Sequence, residues 1–294
     1  MVIELGEGDV AFRCADELGE GPVWDERRDS LLWVDILRRR IHIWQPATGR
    51  HGELEADRPV GAVVPRASGG AVAALGQGFA HVDLDKGRIE PFADLGLDDP
   101  SIRMNDAKCD RRGRLWAGTM SETLAEGAGS LYRLDADGAL TLVVPGVTVS
   151  NGLDWSPDNR TMYFIDTLRH GIDAFDFDDG SGAISNRRRL VDIDEREGLA
   201  DGLTVDADGC VWVALCFGGA VRRYTPDGRL DATVRLPVTV ATSCAFGGDG
   251  YRTLYVTTGR TTLTDDELRR QPLAGSVFRV EPDTHGLAPT PYGG

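Results

Sequence analysis

Glu20, Asn105, Asn151 and Asp201 each open a copy of one short pattern: a polar residue, a few alternating positions, then a turn residue five places on. The copies read Glu20-Gly-Pro-Val-Trp-Asp25, Asn105-Asp-Ala-Lys-Cys-Asp110, Asn151-Gly-Leu-Asp-Trp-Ser156 and Asp201-Gly-Leu-Thr-Val-Asp206. Taken singly, each is most simply a tight turn or a solvated side chain. Their common phase is what suggests chemistry. If a fold brought them to one point, two carboxylates and two amide oxygens would repel or go unsatisfied unless a cation sat between them. All-oxygen ligation favours a hard divalent ion, Ca²⁺, Mg²⁺ or Mn²⁺, and carboxylate sites with few protein ligands also accept Zn²⁺. Arg103, two residues before Asn105, would reach a substrate oxygen above such an ion.

The elements that must position these residues are strands. A second strand follows each copy, Leu31-Leu-Trp-Val-Asp35, Leu115-Trp-Ala-Gly118, Met162-Tyr-Phe-Ile-Asp166 and Cys210-Val-Trp-Val-Ala214, rich in aromatic and β-branched residues. Weaker copies begin at Gly61 and Ser243, so the starts fall at 20, 61, 105, 151, 201 and 243. A period in the forties, with hairpin turns such as Asp137-Gly138, Asp208-Gly209 and Asp227-Gly228, predicts an all-β six-bladed β-propeller. The segment Asp9 to Cys14 is expected to join the last blade as a strand and close the ring, and the one expected helix is short, Asp265 to Gln271. In such a ring the opening residues line one mouth of the axial channel. Gly61 and Ser243 would leave a gap there through which water and substrate enter.

The 294 residues show no linker or low-complexity break, which predicts one domain over 1–294. A net charge of −15 argues against nucleic acid and anionic membranes as partners. No basic-then-apolar leader or membrane-length apolar run occurs, so the expectation is a cytoplasmic protein, monomeric or weakly homo-oligomeric. Five cysteines without a Cys-x-x-Cys pair read as buried thiols rather than a disulfide framework. The histidines His42, His51, His81, His170 and His285 lie off the opening positions and read as surface or turn residues. With no histidine beside Ser101, Ser121 or Ser150, a serine triad has little support.

The segments Leu18-Gly-Glu-Gly-Pro22, Arg103-Met-Asn-Asp106, Trp116-Ala-Gly-Thr-Met120, Ser150-Asn-Gly-Leu-Asp-Trp155, Ile184-Ser-Asn-Arg-Arg188, Asp201-Gly202 and Ser243-Cys-Ala-Phe-Gly-Gly248 together resemble the regucalcin (senescence marker protein)/gluconolactonase family, in order and over essentially the whole chain. The resemblance implies a six-bladed propeller that binds one divalent cation, Ca²⁺ first, and hydrolyses sugar lactones such as gluconolactone to the aldonic acid. Carried over residue by residue, it implies metal ligands at Glu20, Asn151 and Asp201 and substrate contacts at Arg103, Asn105 and Glu122. Asp201 would also be the proton donor and acceptor. The competing readings are an organophosphatase- or paraoxonase-like propeller hydrolase and a non-enzymatic Ca²⁺-binding propeller.

Overall fold

The computed structural model describes residues 3–294 and is a six-bladed β-propeller with one short helix, Asp265–Arg270. Each blade is built on four antiparallel strands, one of which lies innermost. These inner strands are Gly19–Asp25, Val60–Pro65, Ile102–Cys109, Ser150–Trp155, Leu199–Val205 and Ala241–Gly247. As expected from the sequence, the N-terminal strand Asp9–Phe12 pairs antiparallel with Val277–Val280 and completes the last blade. A second addition went unforeseen. Ile3–Glu7 pairs parallel with Leu230–Arg235 as a fifth strand on the preceding blade.

The apolar residues do not form one central core. They form six clusters, one at each junction between neighbouring blades, such as Leu32, Val34 and Ile41 against Val63, Ala73 and Leu75. Every blade face is therefore buried, and the axis is left free for polar groups.

In two of the four copies the turn residue five places after the opening residue has a defined job. Asp110 Oδ1 accepts from Arg112 N at 2.9 Å, while its Oδ2 accepts from Trp116 Nε1 at 2.9 Å. Asp206 repeats the arrangement with Asp208 N at 3.0 Å and Trp212 Nε1 at 2.8 Å. One carboxylate thus closes the hairpin and anchors the large side chain of the next strand.

At the hairpin end, opposite the opening residues, the C-terminal segment crosses under the channel. It bridges Asp206 through Gly286 and Arg66 through Tyr292, and Gly293 N donates to Gly113 O at 2.9 Å. Tyr292 is buried and its hydroxyl donates to Asp135 O at 2.8 Å. Between these anchors Leu287, Ala288, Pro289 and Thr290 form the floor of a channel cavity of about 60 Å³.

Candidate functional site

The opening residues do converge, and a backbone irregularity aims them. In every inner strand the ladder to the second strand slips near the opening residue: Glu20/Val23, Val60/Ala62, Met104/Ala107, Ser150/Leu153, Ala200/Leu203 and Ala241/Ser243. In the copies carrying Asn105, Asn151 and Asp201, two residues of the inner strand oppose one of its neighbour, with the polar residue first of the pair. Such β-bulges bend the strand and re-aim side chains. Asn151-Gly152 and Asp201-Gly202 are therefore not turns but bulges within strands.

The bulges need glycine beside them. A Cβ on Gly152 would sit 2.5 Å from Leu203 N and 2.7 Å from Asp201 O, so its absence lets neighbouring inner strands touch. The same holds for Gly61, where a Cβ would lie 2.3 Å from Asn105 O. This corrects one expectation: the space left by Gly61 is filled by the adjacent backbone and is no entry gap. Ser243 is no gap either, being buried, while the bulge residue beside it, Thr242, hydrogen-bonds Thr257 Oγ1 at 2.9 Å within the blade wall.

Aspartates at the ends of second strands hold the entering backbone. Asp35 accepts from Glu17 N at 2.8 Å and Leu18 N at 3.2 Å, just ahead of Glu20. Asp166 accepts from Thr148 N at 3.2 Å and Val149 N at 3.0 Å, just ahead of Asn151.

Glu20, Arg103, Asn105, Asn151 and Asp201 are all buried. Asn105 Nδ2 donates to Asn151 Oδ1 at 3.0 Å and to Ser150 O at 2.8 Å, and its Oδ1 accepts from Arg103 Nη1 at 2.8 Å. Asn151 Nδ2 donates to Thr167 Oγ1 at 2.8 Å, whose hydroxyl donates to Ala200 O at 2.9 Å, next to Asp201. Glu122 is the exception. It is exposed, just beyond the strand Leu115–Ser121, and its N–H donates to Ser101 O at 2.8 Å.

The electrostatics are those of excess buried negative charge. Burial, then the charges of Asp201 and Asp106, push the Glu20 carboxyl well above the usual range. Burial and Asp106 do the same to Asp201, with Arg103 opposing. Burial also lowers Arg103, against the attraction of Glu122, Glu20 and Asp201. Asp106, pushed up to about 6 mainly by burial, escaped the sequence reading. In a regular strand it would point away from Asn105; within the bulge it lines the channel cavity beside Lys108. Lys108 Nζ pairs with Asp154 Oδ2 at 2.9 Å and also donates to Leu203 O at 3.0 Å.

Two further expectations changed or held. His42 is not a surface histidine but a buried strand residue, with its Nδ1 3.1 Å from His51 Nε2 across the hairpin. The cysteines are all free, three of them buried. No helix is long and apolar enough to cross a membrane among the described residues.

Comparison with known proteins agrees with this architecture. The chain is 38% identical to regucalcin of Xenopus laevis over 285 residues, covering 95% of each chain. It is 41% identical to regucalcin of Gallus gallus over 284 residues, 94% of this chain and 95% of the relative. Its fold superposes with a TM-score of 0.95, at 29% identity and 99% coverage of both chains, on a calcium-binding protein, regucalcin, from Agrobacterium tumefaciens. Residues 18–260 match the SMP-30/gluconolactonase/LRE-like region, and the chain belongs to that family.

Proposed function

We propose that this protein hydrolyses sugar lactones at the channel mouth with the help of one divalent cation. The carrying observation is that Glu20 and Asp201 are buried together, both raised by burial and by neighbouring carboxylates, with Arg103 as the cation of that cluster. Oxygen donors in such excess fit a hard cation held by Glu20, Asn151 and Asp201, Ca²⁺ first and Zn²⁺, Mg²⁺ or Mn²⁺ as substitutes. When bound, the ion supplies Lewis-acid polarisation of the ester carbonyl and relieves the repulsion between the carboxylates.

The chain's own residues supply the rest. Asp201 takes the proton from the attacking water and returns it to the ring oxygen as the C–O bond breaks. Arg103, fixed through Nη1 by Met104 O at 2.9 Å and by Asn105, faces the developing oxyanion with its remaining N–H groups. Asn105 and Glu122 orient the sugar hydroxyls. The family's gluconolactonase name and the calcium-binding description of the regucalcin neighbour support this reading.

The deciding experiment is a pH-stat panel of aldonolactones, with phosphotriesters as the contrast, run after chelation and after adding back each divalent ion. Lactone turnover that disappears with chelator and returns with a cation is expected. Full activity in the metal-free protein, or turnover of phosphotriesters alone, would overturn the proposal.

A further inference from the structure

A second cluster of ligand atoms lies away from the channel, on the outer half of the first blade. His42 sits in the strand Arg40–Gln45 and His51 and Glu53 in the strand Arg50–Glu55; Glu53 is directly opposite His42 and His51 is diagonal to it. All three therefore project from one face. One ligand atom from each lies within 4.8 Å of the others. His42 Nδ1 is 3.1 Å from His51 Nε2 and 3.7 Å from Glu53 Oε1.

These separations suit a tetrahedral ion. With metal–nitrogen bonds of about 2.0–2.1 Å, two ligand atoms at the tetrahedral angle stand about 3.3 Å apart, so small side-chain movements complete the geometry.

The surroundings point the same way. The other ring nitrogen of His42, Nε2, is buried and lacks a hydrogen-bond partner, although Asp16 Oδ1 lies 3.3 Å away. Asp16 is itself buried, and its Oδ2 accepts from Trp33 Nε1 at 2.8 Å. A carboxylate behind the far nitrogen of a histidine is the arrangement that orients a metal-ligating imidazole, and a small ring rotation would let His42 Nε2–H donate to Asp16 and leave Nδ1 as the lone pair. Trp33 stacks on His42 with ring centroids 4.6 Å apart, and Phe12 packs on His51 at 4.5 Å, so neither imidazole is free to swing away.

We propose that His42 Nδ1, His51 Nε2 and Glu53 Oε1 form a second metal site, for a borderline divalent ion of the Zn²⁺ class, with water in the fourth position. Mixed nitrogen and oxygen ligation separates its preference from that of the all-oxygen channel mouth. Its place in the fold gives it a structural effect. Phe12 belongs to the strand that closes the propeller, and Asp16 to the segment leading from that strand into the first blade. An ion here ties the outer strands of the first blade to the closure.

The test uses Co²⁺ as a spectroscopic stand-in for Zn²⁺, titrated into the full-length metal-free protein. Tetrahedral Co²⁺ with imidazole ligands absorbs strongly in the visible, whereas six-coordinate all-oxygen Co²⁺ is pale. The strong band is expected in the wild-type protein and in Asp201→Asn alike, and is expected to vanish in His51→Gln. Glu53→Gln, at an exposed position that does not threaten folding, should weaken Co²⁺ binding at least tenfold. Asp16→Asn, acting behind His42, should weaken it about 10- to 100-fold. Zn²⁺ should raise the thermal midpoint of the wild-type protein and not that of His51→Gln. A wild-type protein without the band, or a band unchanged in both His51→Gln and Glu53→Gln, overturns the site.

Discussion

Glu20 and Asp201 place two carboxyls where neither is comfortable as an anion, and this gives the metal-free protein a pH signature. Their unfolded values are near 4.3 and 3.9, and the fold raises both. Above about pH 4 the folded chain then holds more protons than the unfolded chain, so stability falls as pH climbs toward the raised values. With chelator present, the thermal midpoint should be lower at pH 7.5 than at pH 5.5, and a saturating divalent ion should raise it mainly at pH 7.5. The Glu20→Gln/Asp201→Asn double variant should lose most of that difference, which separates the effect from the net charge of −15. A wild-type midpoint independent of pH in chelator would contradict the account. Asp201→Asn alone should lower kcat by a factor on the order of 10²–10⁴ with the circular dichroism spectrum unchanged. Undiminished turnover would remove Asp201 as the base.

At the scale of the element, the bulge organises the mouth. It explains how much of the site was legible in the sequence. The shared phase of Glu20, Asn105, Asn151 and Asp201 sufficed to gather them, because equivalent positions in a radial repeat must meet. Asp106 was not legible, since a period-two strand sends successive side chains to opposite faces and only a bulge brings the second into the channel wall. Blade closure by Asp9–Phe12 was readable from the need to cover an edge, but the parallel pairing of Ile3–Glu7 has no local pattern to announce it. The His42 cluster was missed for a related reason: the two histidines meet only in the particular register of one hairpin, which spacing alone does not supply. The same element-level argument makes Gly152→Ala a sharp test. Its Cβ would meet backbone atoms of the Asp201 strand, so the variant should lose about 1–3 kcal/mol of stability and bind the proposed channel cation more weakly. Gly52→Ala, whose Cβ meets nothing within 4 Å, is the control expected to stay near wild-type stability. Equal midpoints for the two variants would show that the strands can separate without cost.

Across the whole molecule, the six interblade clusters distribute the hydrophobic stabilisation around a ring, so no single blade is independent of its neighbours. The two chain ends act on that ring differently. The N-terminal strand completes a blade, while the C-terminal segment spans the bottom from Asp206 to Arg66. Tyr292→Ala removes a buried ring from the cluster with Met104, Cys109 and Leu115 and breaks the bond to Asp135 O. A loss of about 3 kcal/mol is expected, read from denaturant unfolding, together with earlier proteolytic cleavage of the tail. A midpoint unchanged from wild type would show that the tail contributes nothing to the ring.

The floor formed by Leu287 to Thr290 also decides how molecules pass through the channel. With its own chain lying across that end, the propeller resembles a vessel more than a pipe. Under the proposed lactone hydrolysis, substrate and product would share the opposite opening, so a departing aldonic acid would compete directly with the next lactone for the doorway.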